Sequence, residues 1–121
     1  MKKFVVSLVS IVTLLVPTQV LAENWVQVSR RLGVDTDSIA VNRRDSNIRV
    51  YWERFQSNRP GYLMIRRIAN CATGRTKELE VVVHNNVGRV VDRKSFDFND
   101  RGGQYTRPGS EGSRVLNIVC R

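Results

Sequence analysis

Apolar and polar residues alternate along most of the chain beyond residue 24, and this period of two is typical of β-strands. The pattern predicts about five to six strands separated by polar turns. These strands cover residues 25–28, 38–41, 48–55, 62–70, 76–84 and 89–92. From residue 94 to 107 the chain is polar and rich in Gly without a clear period, so an irregular loop is expected there.

The C-terminal residues change to a helical period. Ser110 can cap a helix, and Glu111 places a negative charge in the first turn, where it is favourable. The apolar face of that helix carries Val115, Leu116, Val119 and Cys120. The pattern therefore predicts an α+β domain, with an antiparallel β-sheet of about five to six strands and one C-terminal helix.

The N-terminal pattern is that of a secretory signal peptide. Lys2 and Lys3 precede an apolar run over residues 4–16, and Ala22 stands where a signal peptidase would cut, before Glu23. The alternative is a membrane anchor, but a helix of this length would span only about 20 Å of a hydrocarbon core of about 30 Å. Cleavage is therefore the expected outcome.

Cleavage divides the chain into a signal peptide, residues 1–22, and a mature domain, residues 23–121. No cysteine lies near the cut to carry a lipid anchor, and no membrane span remains after it. The mature protein is therefore predicted to be exported, either periplasmic or secreted.

The mature domain contains two cysteines, Cys71 and Cys120. An even number in an exported chain favours a disulfide, which would contribute about 4 kcal/mol by closing a long loop. Two buried free thiols or an intermolecular pair are the alternatives. Because neither cysteine belongs to a CxxC motif, neither a redox nor a zinc site is indicated.

The mature domain is strongly basic. Removal of Lys2 and Lys3 leaves 18 basic against 11 acidic residues, a formal net charge of +7, and sixteen of the basic residues are Arg. Guanidinium groups bind carboxylates and phosphates in a bidentate way. An acidic partner is therefore plausible, although a solvated basic surface would give the same composition.

Counting by twos from Cys71 divides the fourth strand into two faces. If Cys71 bonds Cys120, the helix lies on the face of Cys71, where Arg67 is an exception among apolar residues. That face is expected to carry Ile48, Val50, Trp52, Leu63, Ile65, Ala69, Leu79, Val81 and Val83. The second face is expected to carry Tyr51, Phe55, Tyr62, Met64, Arg66 and Ile68.

The second face is too apolar to be ordinary solvent-exposed surface, so it is a candidate binding or homodimer face. The alternative is that the segment from residue 94 to 107 folds over it within the monomer. Further candidate basic contacts are Arg43 and Arg44, in the polar loop between the second and third strands.

Catalytic and metal-binding patterns are not indicated. His84 is the single histidine and lies at a strand end, where a surface role is the common one. Residues 35–38 resemble the opening of a calcium loop but lack its Gly and its closing Glu. The sequence therefore predicts a protein that is not an enzyme and has neither a cofactor nor a metal.

Several short segments, in order and spacing, resemble the bacterial surface-adhesin protein E family. These segments are residues 25–28, 37–39, 48–52, Cys71 with the basic residues after it, 88–91, 108–110 and 118–120. The resemblance covers nearly the whole mature domain. It implies an antiparallel sheet whose C-terminal helix is held on one face by a disulfide between Cys71 and Cys120.

The resemblance also implies adhesion, since the family's best-known member is a lipid-anchored surface protein that binds host extracellular-matrix proteins and can dimerise. This chain departs from it in having no lipidation cysteine near Glu23. We therefore expect an exported, non-enzymatic binding domain that contacts proteins such as extracellular-matrix components.

Three alternatives follow from the same features. A periplasmic structural or inhibitor-like module would bind another envelope protein, and a hydrolase would need an acid–base constellation around His84. The arginines near aromatic residues would also suit nucleic acid, but export makes polyanionic glycans or acidic proteins the better match.

Overall fold

A computed structural model describes residues 24–98 and 102–121. The predicted signal peptide lies outside these residues. The described chain forms one antiparallel sheet followed by a helix. The elements are β1 (Trp25–Gln27), β2 (Leu32–Val41), β3 (Ile48–Phe55), β4 (Tyr62–Asn70), β5 (Arg75–His84), β6 (Val90–Ser95), β7 (Gln104–Tyr105) and α1 (Glu111–Val119).

Strands β1 to β6 lie side by side in the order of the sequence, and β7 pairs with β5. Tight turns make this order possible, because antiparallel neighbours need only short connections. The connection between β3 and β4 requires glycine at Gly61, where φ is 94° and a Cβ would lie 2.2 Å from the His84 carbonyl oxygen.

The helix α1 packs on one side of the sheet, which we term the helix face. The core between them consists of Leu32, Val34, Tyr51, Ala69, Val115 and Val119. Val34 and Ala69 are completely buried, and Val119 is 1% exposed. Most of the stability of such a short helix comes from burying its apolar face rather than from helix propensity.

An N-cap defines the start of α1, and two contacts near its C-terminus hold it to the rest of the fold. Its N-cap, Ser110, accepts a hydrogen bond from the Ser113 backbone N–H at 3.2 Å. At the other end, Arg49 Nη1 donates to the Val119 carbonyl oxygen at 2.9 Å. A disulfide joins Cys71 to Cys120, so the predicted pairing and the predicted fold class are confirmed.

Two predicted segments differ from the observed elements. The segment predicted to be an irregular loop, residues 94–107, contains the end of β6 and the whole of β7. The second strand is much longer than predicted, since β2 begins at Leu32 and continues through an irregularity between Asp35 and Ala40. Ser38 bridges this irregularity, with its hydroxyl bonded to the Asp35 carbonyl and the Trp52 N–H.

The predicted orientation of the third strand is wrong. Tyr51 pairs with Arg67 and belongs to the core beneath α1, and Phe55 packs against the same core. The opposite side of β3 therefore carries Ile48, Val50 and Trp52. A shift of one residue moves every side chain of a strand to the other face.

Leu79 is also on the side opposite to the predicted one, in a cluster with Ile48 and Ile68. The cause is an irregularity in the pairing of β4 with β5 between Arg66 and Arg67. Such a bulge breaks the simple alternation on which the prediction depended.

Candidate binding face

The side of the sheet opposite α1, which we term the open face, is the candidate functional surface. No helix of the described chain packs on it. Its residues, assigned from the strand register, are Val50, Trp52 and Arg54 on β3, Tyr62, Met64, Arg66 and Ile68 on β4, and Val82 and His84 on β5.

Part of the open face is buried. Ile48, Ile68 and Leu79 are each less than 5% exposed and form a small cluster against Val50. Tyr62, Met64 and Arg66 remain half-buried and accessible. Of the six residues predicted to form one binding face, Tyr62, Met64, Arg66 and Ile68 share a face, whereas Tyr51 and Phe55 lie on the other side.

Three side chains stack in layers on the open face. The Tyr62 and His84 rings are stacked with their centroids 4.5 Å apart, and the Arg54 guanidinium carbon lies 4.2 Å from the Tyr62 centroid. Tyr62 is paired with His84 across β4 and β5, so the sheet register holds the two rings together. This arrangement orients Arg54 at the surface through a cation–π contact.

Beside this stack lies an open groove of about 330 Å³. It is lined by Asp35, Trp52, Met64, Val82, His84, Val90 and Arg93. Nδ1 of His84 is buried there and makes no hydrogen bond within the described chain. The groove thus combines aromatic and aliphatic walls with one unsatisfied polar atom.

The charged groups of the groove are already partnered. Arg93 Nη1 lies 2.5 Å from the Glu80 carboxylate. Oδ1 of Asp35 accepts hydrogen bonds from the Asn24 and Asp37 backbone N–H groups, which ties β1 to β2. Asp35 therefore has a structural role, and the groove itself offers mainly stacking and apolar contact.

A second polar cluster lies on the helix face. Arg67 Nε donates to Oε1 of Glu53 at 2.8 Å, and its Nη2 lies 3.4 Å from Oε2 of Glu78. The Tyr51 hydroxyl is buried beside them without a hydrogen bond of normal geometry. At the edge of the cluster, the Ser29 hydroxyl donates to the Glu111 carboxylate and so joins the β1–β2 turn to α1.

The pKa values in this cluster reflect burial. Burial raises the pKa of Glu53, although Arg67 and the hydrogen bond from it act in the opposite direction. The pKa of Tyr51 is raised as well, by burial first and by the Glu53 charge second. These groups hold one another in place beneath α1, and we assign them a structural role.

Arg43 and Arg44 are exposed in the loop between β2 and β3, and neither makes an ion pair within the described chain. The structure therefore leaves both guanidinium groups accessible. Their role as basic contacts remains a prediction.

Sequence reasoning missed Arg54, His84 and Arg93 as parts of this surface. A correct register for β3 would have indicated Arg54, because it is paired with Met64. Within the described chain, no group of three or more His, Cys, Asp or Glu side chains could hold a metal ion. The described part of the chain also contains no helix with the length and hydropathy needed to cross a membrane.

The fold and this surface define a class of small domains, in which a meander of six antiparallel strands carries a disulfide-held C-terminal helix on one side. The structure of Haemophilus influenzae protein E has this fold. It superimposes with a TM-score of 0.60 over 79% of this chain and 86% of that one, at 14% sequence identity. The likeness agrees, at the level of the fold, with the resemblance noted in the sequence. No protein-family model matches the chain, and no curated protein matches it either.

Proposed function

We propose that the protein is an exported, non-enzymatic binding domain that contacts another protein through its open face. The observation that carries this proposal is the set of accessible aromatic, apolar and arginine side chains on the side of the sheet without a helix. Aromatic residues, Met and Arg are the types enriched in protein interfaces. The +7 charge of the predicted mature domain favours an acidic partner.

Three further observations support the class of function. The fold is that of H. influenzae protein E, and the resemblance to the surface-adhesin family implies binding of extracellular-matrix proteins. The predicted signal peptide and the disulfide both suit an oxidising compartment outside the cytoplasm. The absence of a lipidation cysteine near Glu23 favours a periplasmic or secreted protein over a lipid-anchored one.

Binding can be tested with purified mature protein on a panel of immobilised extracellular-matrix proteins. Arg66→Glu reverses a charge on the open face and should weaken binding about tenfold or more, as expected of a central interface arginine. Arg114→Glu makes the same charge change on the exposed side of α1 and should leave binding within about twofold. Equal losses in both variants would contradict binding through the open face.

The cellular location of the protein distinguishes the two candidate partners, an extracellular-matrix protein and another envelope protein. Fractionation of expressing cells, with mass spectrometry of the mature N-terminus, should find a chain that begins at Glu23. Protein that is degraded by protease added to intact cells supports contact with the extracellular matrix. Protein protected until the outer membrane is opened would instead support the periplasmic module that binds another envelope protein.

A further inference from the structure

A second pocket, of about 280 Å³, lies at the end of the sheet where β1, β2 and β3 begin or end. Its lining consists of Trp25, Gln27, Arg30, Arg31, Arg54 and Gln56. Half of these side chains are arginines, and none is acidic. The pocket is therefore a local concentration of positive charge with one aromatic wall.

The three arginines have no ion-pair partners within the described chain. Nη2 of Arg31 donates to the Asn58 side-chain oxygen at 2.7 Å, which orients that guanidinium. Arg54 is held against the Tyr62 ring. Like charges repel when they converge, so their arrangement here favours an anionic ligand that binds them together.

The two glutamines add a second kind of recognition. Nε2 of Gln27 donates to the Ser29 carbonyl at 2.9 Å, and Nε2 of Gln56 donates to the Gly61 carbonyl at 2.6 Å. Because the amide nitrogens are engaged within the protein, the amide oxygens remain as acceptors. A Cβ at Gly33 would lie 2.8 Å from Oε1 of Gln27, so the glycine leaves room for this amide.

From this combination we infer that the pocket binds a unit of an anionic polysaccharide. Sulfate or carboxylate groups would bind Arg30, Arg31 and Arg54, and sugar hydroxyls would donate to the Gln27 and Gln56 oxygens. Trp25 is the aromatic residue of the lining, against which a sugar ring would pack. The volume is slightly below the usual range for small-molecule sites, which suits about one sugar ring and its substituents.

An acidic peptide also offers carboxylates, and its backbone N–H groups can donate to the glutamine oxygens, but it carries one anionic group per side chain, whereas a sulfated sugar unit presents several to the converging arginines. Single-stranded nucleic acid is bound by a series of aromatic side chains on which successive bases stack, whereas this pocket has one. The inference goes beyond the proposed function, because the ligand class differs and because Arg54 is the one pocket residue that also belongs to the open face.

The test is calorimetric titration of the mature protein with a heparin-derived octasaccharide at moderate ionic strength. Arg30→Gln/Arg31→Gln should weaken binding about tenfold or more, because it removes two charge-assisted contacts. Arg43→Gln/Arg44→Gln removes the same charge from another exposed loop and should change the affinity by less than about twofold. Arg54→Gln, which leaves the β1–β2 turn untouched, should also weaken binding.

Three outcomes would overturn the inference. Equal weakening by the two double variants would show attraction to net charge rather than to this pocket. Oligoglutamate or single-stranded DNA of matched charge that bound as tightly as the octasaccharide would exclude the assignment to a polysaccharide. Unchanged affinity in Arg54→Gln would also contradict it. Thermal unfolding of each variant checks that the fold is retained.

A negative result for polysaccharide binding at the pocket can be distinguished from a negative result for protein binding at the open face. Arg66→Glu changes the net charge by the same amount as each double variant but lies outside the pocket, so its octasaccharide affinity should stay within about twofold of the wild type. Conversely, Arg30→Gln/Arg31→Gln should retain binding to a protein that contacts the open face around Arg66.

Discussion

Glu53 and Arg67 are unequal partners in the ion pair beneath α1. The Glu53 side chain is 5% exposed, whereas that of Arg67 is 24% exposed and has Glu78 as a second partner. Burial works against the charge of both groups, yet the Glu53 carboxylate raises the pKa of Arg67, while the pKa of Glu53 remains above its ordinary value. The ion pair therefore stabilises the charged form of Arg67 beyond its ordinary level, whereas it only partly offsets the cost of burying the Glu53 charge.

Loss of Arg67 should therefore cost more than loss of the Glu53 charge. Arg67→Met leaves a buried carboxylate without compensation and should lower the free energy of unfolding by about 3 kcal/mol. Glu53→Gln leaves Arg67 with Glu78 and should cost about 1 kcal/mol. Urea denaturation of both variants, with exposed Arg89→Met as the control, measures the difference, and the reverse order would contradict this account.

The same asymmetry predicts a pH dependence. A carboxyl whose pKa is raised in the folded state binds more protons folded than unfolded, so its contribution to stability falls as pH rises from its unfolded pKa through its folded one. In Arg67→Met that pKa should rise further, because a lowering influence is gone. The deficit relative to the wild type should consequently be larger at pH 8 than at pH 5, and a deficit independent of pH would contradict the charge of Glu53 as its cause.

Removal of the Tyr51 hydroxyl is expected to have the opposite effect on the free energy of unfolding. This hydroxyl is buried without a hydrogen bond, and burial keeps it un-ionised. Tyr51→Phe removes an unsatisfied polar atom and retains the ring that packs beneath α1, so stability should be unchanged or higher by up to about 1 kcal/mol. A loss of that size in urea denaturation would show instead that the hydroxyl bonds to Glu53.

Among the elements, α1 depends most on its covalent tether. It has nine residues, and isolated helices of this length are marginal in water. Cys71→Ser/Cys120→Ser should lower the free energy of unfolding by about 3–4 kcal/mol. Hydrogen exchange should accelerate first in residues 110–121. Equal protection of these amides with and without the disulfide would contradict the tethering role. Ser110→Ala, which loses the N-cap and the hydrogen bond from the Ser110 hydroxyl to the Arg107 carbonyl, should cost about 1 kcal/mol.

The elements also show where sequence reasoning reaches its limit. Strands β3, β4 and β5 and the capped helix were predictable because alternation and the Ser110 cap are local signals. The disulfide was predictable because the exported domain has only two cysteines. The side of β3 that faces α1 was not predictable. Val50 and Trp52 alternate with Tyr51 and Phe55, so both sides of the strand carry large apolar residues. Only the register with β4 decides between them, and that register is a property of two strands.

The candidate site shows the same limit in another form. Tyr62, Met64, Arg66 and Ile68 were placed together correctly from the alternation of one strand. The stack of Arg54 on Tyr62 and His84 joins three strands, so it required the sheet register. Arg30 and Arg31 are adjacent in the sequence, but their convergence with Arg54 depends on the fold.

At the scale of the whole molecule, the open face raises the question of self-association. The alternative to self-association is that the segment from residue 94 to 107 folds over the open face within the monomer. Its last residues lie near α1, since Tyr105, Thr106 and Arg107 line a cavity with Val115. The centroid of the Phe98 ring lies 5.6 Å from the guanidinium carbon of Arg66 on the open face, and Phe98 is itself 63% exposed. Beside this contact, the side chains of Tyr62 and Met64 remain partly accessible.

We expect the mature protein to form a homodimer through this face when no partner protein occupies it. Sedimentation velocity across a concentration series should show the dimer at high micromolar concentration, and Tyr62→Glu should abolish it by placing a charge in the interface. Tyr105→Glu, which makes the same change on exposed β7, should leave it intact. A wild-type protein that remains monomeric throughout the series would exclude the dimer.

The order of the strands has a consequence for how the chain acquires its structure. Since β1 to β6 neighbour one another in sequence, each hairpin closes a short loop, and such local contacts form early because they cost little chain entropy. The disulfide instead spans 49 residues and requires α1 to be docked. A chain that emerges from a translocation channel N-terminus first can thus assemble its sheet before residue 120 arrives, and oxidation becomes the closing step of folding.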